Sequence, residues 1–80
     1  MQKREESELL DATGLLCPLP VLKIRKRMKP LKPGQFLEVK ADDVAALVDV
    51  PHFCDENGHT LVSHREDGDC LVFLIKKGAD

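Results

Sequence analysis

Apolar and polar residues change their spacing along the chain, and each spacing names an element. Leu9 to Thr13 is a short apolar-led run closed by Gly14, which predicts a first strand. From Pro18 to about Lys29 the period becomes helical. At about 100° per residue, Val21, Ile24, Met28 and Leu31 gather on one face as a core stripe. Pro30, Pro33 and Gly34 end that helix, and Phe36-Leu37-Glu38-Val39-Lys40 predicts a second strand. Asp42 and Asp43 are N-cap candidates for a second helix, in which Val44, Leu47 and Val48 form a stripe that reaches Cys54 a turn later. Pro51 falls inside this pattern, so a kink, or a helix ending and another beginning, is expected there. Asn57-Gly58 is a C-terminal stop. Thr60–Arg65 and Cys70–Lys77 predict the last two strands, joined by a turn around Asp67-Gly68. The stretch Cys70–Ile75 is apolar throughout, as in a strand that is central or covered on both sides.

The predicted order is therefore β-α-β-α-β-β. Helices that alternate with strands through right-handed crossovers lie on one face of the sheet. The expected class is α/β of the α+β kind: a two-layer sandwich with a four-stranded mixed sheet and two helices on one face. Eighty residues allow one domain with a modest core. The expected division is a polar N-terminal tail at residues 1–8 and one domain at residues 9–78. No internal repeat or low-complexity stretch interrupts it.

Composition narrows the function classes. Apolar residues make up 42 % and charged residues 32 %, ordinary for a soluble domain. Tyr and Trp are absent, which argues against aromatic base-stacking platforms. The first eight residues are polar, without the apolar core of a signal peptide. The longest apolar run, Cys70 to Ile75, is too short to span a bilayer, so no membrane association is expected. Three cysteines cannot all pair within the chain, and none lies in a C-x-x-C. Reduced thiols and a cytoplasmic location are the expectation. Net charge is −2, but residues 1–40 carry a balance of +4 and residues 41–80 a balance of −6. Between Lys23 and Lys32 lie six basic residues and no acid. A solvated helix face is the plain explanation; nearness to Cys17 favours attraction of an anionic partner.

The candidate chemistry centres on Cys17, in Gly14-Leu15-Leu16-Cys17-Pro18-Leu19-Pro20. Proline is tolerated at the first helical position, which makes Pro18 the first helical residue and Cys17 its cap. Unpaired amide N–H groups and the positive end of the helix dipole would then favour thiolate, the nucleophilic form, and lower the thiol pKa. A buried structural cysteine is the competing reading. Gly14, Pro18 and Pro20 shape the loop, and Asp11 caps or braces it. Cys54, on the buried stripe, and Cys70, opening an apolar strand, read as packing residues. His52, His59 and His64 lack the paired spacing of zinc ligands, so no metal is expected. His59 reads as a hydrogen-bonded residue at a strand edge. Leu19 and Leu22 fall opposite the core stripe, among Lys23 and Lys26. These four form a candidate docking patch, apolar with a cationic rim.

Residues 10–21, Leu10-Asp11-Ala12-Thr13-Gly14-Leu15-Leu16-Cys17-Pro18-Leu19-Pro20-Val21, resemble the opening of the TusA/SirA-type small sulfur carriers, whose hallmark is Cys-Pro-x-Pro. Ala41-Asp42-Asp43, Asp49-Val50-Pro51-His52-Phe53-Cys54, Gly58-His59-Thr60-Leu61 and Phe73-Leu74-Ile75-Lys76-Lys77-Gly78 fit as well, so the likeness covers about residues 9–78. The resemblance implies a relay in which Cys17 accepts a sulfane sulfur as a persulfide. The donor would be a cysteine desulfurase or a rhodanese-like protein. A downstream acceptor protein would pass the sulfur to tRNA 2-thiouridine synthesis, cofactor synthesis (molybdenum cofactor) or sulfur oxidation. The sulfur is held covalently, no separate cofactor is implied, and tRNA is met only indirectly.

Two positions depart from the family pattern. Leu19 stands where members serving tRNA thiolation often carry an acid, which bears on the acceptor. Val44 stands where many members have proline, leaving the start of the second helix to the aspartates. Physically, a relay needs thiolate character and access, and no positioned base if a helix terminus and cations stabilise the anion. Two other classes stay open. One is a regulatory or adaptor module using the same face without carrying sulfur. The other is an RNA-binding module using the Lys23–Lys32 stretch, against which stand the net acidic charge and missing aromatics.

Overall fold

The computed structural model describes residues 7–78. Its elements run β1 (Ser7–Asp11), α1 (Leu19–Met28), β2 (Phe36–Ala41), α2 (Ala46–Asn57), β3 (Thr60–Asp67) and β4 (Cys70–Lys76). Of the polar tail expected at residues 1–8, residues 1–6 lie outside the described residues, and Ser7 and Glu8 already belong to β1. That strand ends at Asp11, two residues earlier than the apolar pattern suggested. Asp11 turns the chain, because its Oδ1 accepts from both Thr13 N–H (3.0 Å) and Thr13 Oγ1 (2.6 Å). Gly14 follows with φ +82°, a conformation costly for any residue with a Cβ.

The sheet order is β1-β2-β4-β3. β1 pairs parallel with β2, and β4 pairs antiparallel with both β2 and β3. The α+β two-layer sandwich is thus present, with both helices packed on one face of a mixed sheet. Opposed pairs Leu37–Ile75, Val39–Phe73 and Ala41–Leu71 set the helix-facing side. All six are buried, with Leu10 beside them. Ile24 and Met28 descend from α1, and Ala46, Val50, Phe53 and Cys54 from α2, into the same core. Fully burying a side chain such as Ile24 contributes about 1.5–3 kcal/mol. The apolar run Cys70–Ile75 is central, as its composition implied, and β3 is an exposed edge strand.

The predicted stripe of α1 is realised, with Ile24, Met28 and Leu31 buried and Val21 packed against them. The start of α1 is not where it was expected. Leu19 is the first helical residue, Pro18 is the N-cap, and Cys17 stands outside the helix. The stripe of α2 is also corrected. Val44, Leu47 and Val48 are exposed, and the buried face is Ala46, Val50, Phe53 and Cys54. The helix begins at Ala46 rather than beside the aspartates, which rotates its inward face. Pro51 neither ends nor divides it. Burial of Val50 and Phe53 on either side outweighs the one missing backbone bond. Gly58 closes α2 at φ +74°, its N–H bonded to the Cys54 carbonyl, as the Asn57-Gly58 pair predicted.

Candidate functional site

Cys17 is exposed, on a loop between β1 and α1 that other elements hold in place. Asp42 and Asp43, which leave the end of β2, supply the anchors. The N–H of Gly14 is shared between Asp42 Oδ1 at 3.0 Å and Oδ2 at 3.2 Å. The N–H of Cys17 donates to Asp43 Oδ2 at 2.8 Å. The other oxygen of Asp43 accepts from Ala45 N–H at 3.0 Å, so one carboxylate ties the cysteine loop to the turn that begins α2. These two donors, Ala45 first, hold the Asp43 carboxyl below its ordinary range. Neither aspartate is a cap in the expected sense, because the α2 N-cap is Ala45 and has no side-chain partner.

The thiol itself meets a third acid. Cys17 Sγ donates to Asp49 Oδ2 at 2.8 Å. The expectation of a lowered thiol pKa is overturned: it is raised, first by that hydrogen bond, then by desolvation and the charges of Asp49 and Asp43. The physical reason lies in the prolines. Pro18 and Pro20 occupy the N-cap and second helical positions and bring no N–H groups. The N–H of Leu19 is taken by the Leu16 carbonyl at 2.8 Å. Little is left at this helix end to stabilise an anion, and carboxylates stand where donors were expected.

The remaining site-shaping expectations divide. Asp11 braces the loop through Thr13, and those two bonds lower its pKa. Lys23 Nζ reaches back to the Asp11 carbonyl at 3.3 Å. Pro20 is buried and Pro18 exposed. Leu19 and Leu22 are 49 % and 51 % exposed, and Lys23 and Lys26 are exposed beside them, so the outer face of α1 is open to solvent. The basic residue that the fold brings beside Cys17 is instead Arg25. It lines a shallow groove of about 190 Å³ between α1 and α2, with Cys17, Asp49, His52 and Glu56. The Arg25 guanidinium lies 5.6 Å from the centroid of the Phe53 ring.

Asp49, Arg25 and Leu16 were not singled out by the sequence. Arg25 was within the basic run, and Asp49 was within a segment matching the family, but nothing local announced that either would face the thiol. Leu16, 70 % exposed next to Cys17, extends the apolar surface. Cys54 is buried, and burial pushes its thiol up to about 11. Cys70 is half-buried. His59 Nδ1 accepts from Gly78 N–H at 3.0 Å, and its ring packs against Phe53. Among the described residues no group of three His, Cys, Asp or Glu is placed to hold a metal.

A family model described as Sulfurtransferase TusA matches residues 8–77. The chain belongs to the TusA family. YrkI of Bacillus subtilis (strain 168) is 40 % identical over 74 residues, covering 92 % of this chain and 99 % of that protein. The sulfur carrier protein TusA of Pseudomonas paraeruginosa (strain DSM 24068 / PA7) is 42 % identical over 72 residues, covering 90 % and 91 %. A SirA-like protein from Desulfitobacterium hafniense shares the fold, with a TM-score of 0.77 at 22 % identity over 88 % of this chain and 96 % of that one. TusA membership makes this a protein of sulfur transfer that meets sulfur donors and acceptors. In the TusA fold seen here, both helices begin at the end of the sheet where the Cys17 loop emerges.

Proposed function

We propose that this chain is a persulfide relay centred on Cys17. The sulfur is carried covalently on Sγ, with no separate cofactor. A cysteine desulfurase or rhodanese-like protein loads it, and a downstream acceptor protein removes it. The observation that carries this reading is an exposed thiol on a loop pinned by Asp42 and Asp43, in a chain of the TusA family. Pinning favours transfer, because two protein-bound sulfurs must approach in line without a search over loop conformations. Exposure serves the second step, since the outer sulfur must be reachable by the next thiol.

Leu16, Leu19 and Leu22, rimmed by Lys23 and Lys26, form the docking surface in this proposal. An apolar Leu19 favours an acceptor that presents an apolar contact rather than a basic one. The pathway served is sulfur delivery to tRNA thiolation, molybdenum-cofactor synthesis or sulfur oxidation, with tRNA met only through the acceptor protein. A reducing, cytoplasmic setting suits a free exposed thiol. No helix among the described residues is long and apolar enough to cross a membrane.

Intact mass after incubation with a cysteine desulfurase and cysteine tests the reading. One added sulfur, removed by dithiothreitol and absent from Cys17→Ser, is the expected result. Undiminished labelling of Cys17→Ser would overturn it.

A further inference from the structure

The groups that face Cys17 are unusually acidic for a nucleophile. Asp43 comes from the β2–α2 connection, Asp49 and Glu56 from α2 with His52, and Arg25 alone faces them from α1. Asp49 Oδ2 touches the sulfur, at 2.8 Å. A thiolate at Sγ would stand against that carboxylate, charge against like charge. We propose that Asp49 is a catalytic residue of the relay, holding the unloaded Cys17 as a thiol and carrying its proton away only as the sulfur attacks a donor persulfide. The inference rests on the persulfide-relay reading of Cys17.

The step balances without an external oxidant or reductant. Cys17 Sγ attacks the outer sulfur of a donor persulfide, R–S–SH, and a new S–S bond forms. The donor's own S–S bond breaks, and its inner sulfur leaves as the thiolate R–S⁻. The proton of Cys17 passes to Asp49 Oδ2 and from there to R–S⁻, giving R–SH. One persulfide is consumed and one is made. A carboxylate is a far weaker base than a thiolate, so Asp49 cannot keep the proton; it can only pass it to a sulfur that is departing. The resting carrier therefore stays protonated, and the nucleophile is released only against a donor persulfide. Once Sγ bears a second sulfur it has no proton to give Asp49, and the hydrogen bond that held it inward is gone.

The test pairs two measurements on the full chain, with Asp49→Asn and Asp49→Glu. The first is the pH profile of iodoacetamide alkylation at Cys17, followed by peptide mass so that Cys54 and Cys70 are counted separately. Asp49→Asn should move the midpoint down by about one pH unit, speeding alkylation near pH 7 on the order of ten-fold, and Asp49→Glu should stay nearer the parent. The second is single-turnover loading from glutathione persulfide, a small donor that needs no docking surface. Asp49→Asn should load more slowly despite its larger thiolate fraction, a divergence that a merely structural role would not produce. Coincident alkylation profiles with matching melting curves would overturn the proposal, as would faster loading of Asp49→Asn. Should Asp49→Asn melt early, Asp49→Ser carries the same comparison. Failure of the parent chain to load at all would sink the relay reading instead, while the alkylation profile still reports on Asp49.

Discussion

The N–H of Cys17 donates to Asp43 Oδ2 at 2.8 Å, across 26 residues of sequence. Asp43→Ala removes that tether and the bond to Ala45 together. Loading of Cys17 should fall roughly ten-fold through loss of orientation. The melting temperature should fall by a few degrees. Because the folded pKa of Asp43 lies below its unfolded value, its contribution is present above about pH 4 and fades as pH falls through the folded value. Melting curves of parent and variant should therefore be well separated at pH 7 and converge in acid.

Lys26→Glu should slow association with an acidic donor, and added salt should have the same effect on the parent chain. Lys26 is a cleaner probe than Lys23, which also bonds the Asp11 carbonyl. Leu19→Glu should act on dissociation, because it places a charge in the apolar part of the patch. Surface plasmon resonance against a desulfurase separates the two rates. Neither change reaches the core, so melting curves should stay within about 0.5 kcal/mol of the parent.

Persulfide or iodoacetamide added near pH 7 should mark Cys17 and leave Cys54 untouched. Cys54 is 2 % exposed, and its thiol, pushed up to about 11, holds almost no thiolate. Peptide mapping of the modified chain checks this directly. Labelling of Cys54 at a comparable rate would mean that α2 opens under native conditions.

Val48→Asp should be nearly silent for stability, whereas Val50→Asp should unfold the chain; denaturant melts decide. The pair records where the sequence was readable and where it was not. The period of α1 pointed correctly to Ile24, Met28 and Leu31, because that helix has an unbroken stripe. Val44, just before α2, and Val48 within it are exposed, while Ala46 takes the inward place. Hydrophobicity alone could not choose between two phases that differ by so few residues. The central place of β4 agrees with its apolar run, which pointed to a strand either central or covered on both sides. At the site, the bracing role of Asp11 was legible because its partner Thr13 is only two residues away. Asp49 was not, since its partner lies 32 residues away and the contact exists only once both helices sit on the sheet. The thiol's upward shift follows first from that same distant carboxylate, and the prolines that mark the helix start remove donors that would have opposed it.

Gly78→Ala should destabilise the chain by about 1–3 kcal/mol. A Cβ at that position would fall on the Gly58 carbonyl, where the backbone after β4 passes the turn between α2 and β3. The bond from Gly78 N–H to His59 Nδ1 would be displaced as well. The midpoint of chemical denaturation reads the cost. Because His59 packs on Phe53, which also lines the Cys17 groove, transfer rates measured on the same variant show how far the disturbance travels.

The last strand of the sheet fills the slot between the second and the third. During synthesis β1, α1 and β2 are made while that slot is still empty, with one edge of β2 unpaired and Leu37 and Val39 lacking their β4 partners Ile75 and Phe73. The reactive loop is fastened to the end of β2, so a nascent chain displays its cysteine before the strand that steadies the fastening has been made. The strand that comes last in the sheet thus braces the one from which Asp42 and Asp43 hold the cysteine loop. Slowing translation over residues 70–76 would lengthen the interval in which this thiol is exposed to chance oxidation.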